Sequence, residues 1–78
     1  MTHIAEHQAK REKFIKLAER RTNKAIKAIE LIGNLGKRSV YEYSASDAEK
    51  IITALDEAIE DAKAKLDGAR PQPRSFKL

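Results

Sequence analysis

The chain has 78 residues, no cysteine, 36% charged residues and a formal charge of +4. At this length it forms one domain with a small core, and neither disulfides nor thiolate-held zinc can reinforce it. Dense helix packing or self-association are the stabilisers left, and the absence of cysteine fits a reducing compartment.

The charge is divided along the chain. Residues 1–32 carry eight Lys/Arg against four Asp/Glu, 46–67 carry three against seven, and 68–78 carry three basic residues and no acid. A basic segment therefore precedes an acidic one and a basic tail. No apolar run is long enough to span a bilayer. The polar start, Met1 to Lys13, lacks the apolar stretch of a signal peptide, so a cytoplasmic location is expected.

The first segment reads as one amphipathic helix over about residues 4–32. At about 100° per residue, Phe14, Leu17, Ala18, Ala25, Ala28, Ile29, Ile32 and Leu35 fall on one arc, which Ile15 and Ile26 widen. Lys10, Lys13, Lys16, Arg20, Lys24 and Lys27 fall on the other side. No proline interrupts the run, and strong helix formers dominate it. Residues 1–13 have few apolar positions and are expected to form a frayed or mobile helical extension. Gly33-Asn34 follow, two residues that tolerate the left-handed conformation with which many helices stop.

Residues 33–45, GNLGKRSVYEYSA, form the connection. Val40, Tyr41 and Tyr43 favour extended backbone but are too few for a sheet, so an ordered loop is expected, with Tyr41 or Tyr43 folded onto the helices. Ser46-Asp47-Ala48-Glu49 then reads as a capping box. The second helix, about 46–67, carries Ala48, Ile52, Leu55, Ile59, Ala62 and Leu66 at spacings of 4, 3, 4, 3 and 4, the a/d seam of a coiled coil. Lys63 and Lys65 suit the negative end of its dipole, and Gly68 supplies its stop. The remainder, 68–78, has two prolines and three cations and is expected to be a disordered basic tail.

These elements predict an all-α fold, an antiparallel two-helix hairpin dimerising into a four-helix bundle. Folding back at the loop brings Ile32 to Ile51 and Ile52, Ala28 to Leu55, and Leu17 to Leu66. Phe14, Leu17, Ile29, Ile32, Ile52, Leu55, Ile59 and Leu66 form the expected core and oligomer seam. Two helices cannot enclose such a seam between them, and a homodimer completes it.

The chemistry-bearing residues are sparse. Gly33 and Gly36 lack the strand and lysine of a phosphate-binding loop. His3 and His7 stand at metal-capable spacing beside Glu6, but no third ligand joins them, so they read as a solvated turn. No serine has a histidine within plausible reach. Neither catalytic residues, metal nor cofactor are predicted, and the chain is expected not to be an enzyme.

Two surfaces are candidates for binding. The connection concentrates Asn34, Arg38, Tyr41 and Tyr43, groups that serve well at protein interfaces. The basic face of the first helix, Lys10, Lys13, Lys16, Arg20, Lys24 and Lys27, could follow a phosphate backbone with Arg70 and Arg74 of the tail. Neither a base-reading helix nor an aromatic platform accompanies it, and the acidic second helix opposes it.

The run FIKLAERRTNKAIKAIELIGNLGKRSVYEYSASDAEKI resembles a family of short, uncharacterised bacterial and phage helical-hairpin proteins with an L-I-G-N-L turn and an R-S-x-Y-E-Y loop. The likeness covers about residues 14–66 and is most specific over 31–43. It implies a bacterial or phage origin and assigns no activity. The expected function is thus a non-enzymatic protein-interaction module. It would act as a small adaptor, regulator or inhibitor of a larger partner, such as a host-defence protein, with sequence-tolerant DNA or RNA binding as the alternative.

Overall fold

The computed structural model describes residues 2–68 and 76–78, with side chains from Glu6 onwards. Among these the protein is all-α. Helix α1 spans Thr2–Gly33, a 3-10 turn follows at Asn34–Gly36, and helix α2 spans Ala45–Leu66. The chain divides into two units, one ending at Tyr41 and one beginning at Glu42.

Helix α1 is 32 residues long, about 48 Å at 1.5 Å per residue. Its alanine-, lysine- and glutamate-rich sequence costs little helical entropy, and helix extends back to Thr2 through the segment expected to be a frayed extension. Near its start, the Arg11 guanidinium lies 5.5 Å from the centre of the Phe14 ring, a cation–π distance that shields part of an aromatic face. Leu17, Ala18 and Ile32 are half-buried, and every other described α1 side chain is exposed.

The end of α1 differs from expectation. Gly33 is right-handed helical, at φ −59° and ψ −31°, and no non-glycine among the described residues has positive φ, Asn34 included. The helix instead tightens into the Asn34–Gly36 3-10 turn, whose i→i+3 bonding satisfies terminal carbonyls without a left-handed residue. At Lys37 the backbone becomes extended, and the Lys37 carbonyl then accepts from the N–H groups of both Val40 and Tyr41, each at 2.9 Å.

The cap of α2 is also relocated. Ser44, in extended conformation, is the N-cap. Its Oγ accepts from the Asp47 N–H at 3.1 Å, and the Asp47 carboxylate accepts from the Ser44 N–H at 3.1 Å. Ser46 and Glu49, read from the sequence as the box, therefore lie inside the helix. Both start sites match the serine-x-x-acid pattern, but starting at Ser44 adds helical residues. It also puts Tyr43 and Ala48, both half-buried, at the positions of a hydrophobic staple.

The far end matches expectation. Lys63 and Lys65 occupy the last turn, and Gly68, at φ 97°, donates its N–H to the Lys65 carbonyl at 3.0 Å. Only a residue without a Cβ adopts that φ readily.

None of the described residues is buried. On α2 the half-buried positions are Asp47, Ala48, Ile51, Ala54, Leu55, Asp61 and Ala64. That arc is turned from the a/d seam towards Ala54 and Asp61. Of the seam residues, Ile52, Ile59 and Leu66 remain 55%, 57% and 77% exposed. No described helix is long and apolar enough to cross a membrane.

Candidate functional site

Three surfaces carry the residues singled out from the sequence, and each follows from the element that holds it. The first is the set of apolar side chains that the fold leaves in solvent. On α1 these are Phe14, Ile15, Ile26 and Ile29, all exposed, flanking the half-covered Leu17 and Ile32. On α2 they are Ile52, Ile59 and Leu66, beside the half-covered Leu55. Helical periodicity lines up each group on its own helix, because positions three and four apart share a face.

The second is the connection. The 3-10 turn sets out Asn34, and the Lys37–Tyr41 turn sets out Arg38 and Tyr41, all exposed. Tyr41 closes the first unit, whereas half-buried Tyr43 stands at the entry to α2 in the second. The four residues predicted as one loop surface are thus divided between two units. Arg38 and Tyr43 each have interaction partners.

The third is the cationic stripe. Lys10, Lys13, Lys16, Arg20, Lys24 and Lys27 are all exposed on α1, so the helix displays the charge row that the sequence implied. Arg70 and Arg74, its expected extension, lie outside the described residues, as does the rest of 69–75. The His3 side chain also lies outside them, and no cluster of three or more His, Asp or Glu suited to a metal occurs among the described residues.

A fourth feature has no counterpart in the sequence reading. A shallow groove on α2 is bounded by Ser46, Glu49, Lys50, Thr53, Ala54 and Glu57, with Phe76 and Lys77 of the tail. Those α2 positions recur three and four apart and so share one helix face. By helical periodicity it is the polar side, roughly opposite Ile52, Leu55, Ile59 and Leu66. Phe76 is the single aromatic of the tail 68–78.

No protein-family model matches the chain, and neither a curated protein nor a solved structure does.

Proposed function

We propose that the chain is a non-enzymatic protein-interaction module that self-associates and presents its connecting loop to a larger protein. One observation carries the reading. The described residues include no buried side chain, yet they hold two helices with Phe14, Ile26, Ile29, Ile52 and Ile59 exposed at helical spacing. Apolar stripes of this kind bury themselves against another helical surface. The antiparallel pairing of α1 with α2 and a dimeric four-helix bundle are the arrangement we infer for it. The basic α1 and acidic α2 favour that pairing over a like-charged one.

Light scattering coupled to size exclusion tests the association. The expected mass is twice that of the 8.8 kDa chain, and a strictly monomeric, cooperatively folding protein at high concentration would refute it. Tyr41→Ala and Tyr43→Ala test the loop, where unchanged capture of the partner removes it as the contact. The partner we infer is a protein of a bacterial host, and inhibition of host defence by a phage or mobile-element product is the specific form this would take.

The exposed row of six cations on α1 supports a second reading, sequence-tolerant binding of DNA or RNA. Such binding releases counterions and weakens steeply with added salt. An absent or salt-insensitive gel shift removes it. Parallel affinity capture with and without nuclease separates the two readings, because only a nucleic-acid bridge is lost on digestion.

A further inference from the structure

The groove on the polar face of α2 is walled by two separate parts of the chain. Phe76 and Lys77 bound it together with Lys50, Thr53, Ala54 and Glu57, so the C-terminal residues stand beside the first half of the helix from whose far end the chain departs. The return is within the reach of the chain. The ten steps from Leu66 to Phe76 reach at most roughly 33–36 Å, whereas the path back along α2 from Leu66 to Thr53 is about 20 Å.

The chemistry of the two partners fits. Ala54 is half-buried, although it lies outside the a/d seam, and its small side chain leaves room for a ring. The Lys50 stem and the Thr53 methyl supply further apolar surface, as long and amphipathic side chains do on otherwise polar faces. Lys77 stands on the same groove as Glu49 and Glu57, which makes the basic tail electrostatically matched to the acidic helix. Phe76 is 49% exposed, so about half of its surface is covered.

We propose that the Ser46–Glu57 face of α2 is the docking surface for the chain's own Phe76-Lys77 segment. The clasp forms within one chain, on the side of α2 away from the apolar seam. It therefore leaves Ile52, Ile59 and Leu66 open for association. It also holds Lys77 beside the Glu49 and Glu57 carboxylates, so a polyanion or an acidic partner must compete with α2 for it.

The test uses the full chain, whose lack of cysteine allows one spin label at Glu60→Cys, an exposed α2 position beyond Glu57 that does not line the groove. The expected result is loss of the Phe76, Lys77 and Leu78 amide signals, recovered when the label is reduced. Phe76→Ala should restore most of that signal, and Glu49→Lys should restore part of it. Mixing labelled chain with isotope-enriched, unlabelled chain should give no attenuation of those amides. The clasp is overturned if attenuation is absent or persists undiminished in Phe76→Ala, which would describe a tail that merely passes near the helix. Attenuation only in the mixed sample overturns docking within one chain. Helical circular dichroism equal to that of the parent confirms that each variant is folded when it is read.

Discussion

Ser44 and Ser46 have the same side chain and lie within one helical turn, yet only Ser44 caps. Ser44→Ala removes the acceptor for the Asp47 N–H and should destabilise the protein by about 0.5–2 kcal/mol, the usual cost of a lost N-cap. Ser46→Ala, inside the helix, should move stability by no more than about 0.5 kcal/mol. Urea melts followed by circular dichroism decide between them, and the opposite ranking would restore the Ser46–Glu49 box. The two glycines at the helix ends give a second contrast. Gly33 is helical, and a methyl group added at its Cα would meet open space, so Gly33→Ala should stabilise by about 0.5–1 kcal/mol. Gly68 also has open space, but its φ is 97°, and Gly68→Ala should cost roughly 1–2 kcal/mol from backbone strain alone. Thermal melts of the pair should move in opposite directions. The sequence was ambiguous at these positions for a physical reason. Serine-x-x-acid occurs twice in overlapping register, and glycine permits a left-handed stop without requiring one.

At the scale of elements, far more is legible in the sequence. Uninterrupted helix formers and 3.6-residue periodicity place helices at about 4–32 and 46–67, against the observed Thr2–Gly33 and Ala45–Leu66. Long periodic segments carry redundant information, so one misread cap shifts a boundary without changing the element. Which face is covered was less legible. Heptad spacing selects Ala48, Ile52, Leu55, Ile59, Ala62 and Leu66, of which only Ala48 and Leu55 lie on the partly covered arc of α2, which runs on through Ile51 and Ala54. Periodicity reports where apolar side chains lie on a helix, and two adjacent arcs here both qualify. The exposed arc is the one expected to meet a second copy. Ile52→Ser with Ile59→Ser should therefore halve the mass measured by light scattering and lower the melting temperature. If those residues contact nothing in solution, the change should stay within about 0.5 kcal/mol per site and leave the mass unaltered.

The whole molecule is distinguished by having no buried residue among those described. A domain whose stability depends on association gains it by mass action, so its melting temperature should rise with protein concentration. A scan over a hundredfold dilution tests this, and a constant midpoint would indicate a chain that folds alone. The tail was the least legible part of the sequence. Proline, arginine and glycine mark it as unstructured by composition, and nothing in that composition says that Phe76 and Lys77 stand beside α2. Contacts between residues distant in sequence leave no periodic trace.

A chain with no buried side chain among its described residues has an unusual relation to mutation. In most domains intolerance to substitution is dominated by the core, and binding residues must be found against that background. Here the exposed Phe14, Ile26, Ile29, Ile52 and Ile59 have little interior to support within the chain. Saturating substitution, scored for survival of function in the native host, should therefore trace outlines of other molecules. Polar replacements should be accepted wherever water is the true neighbour and rejected wherever another surface normally lies. Such a map would draw the footprint of the partner before the partner itself is identified.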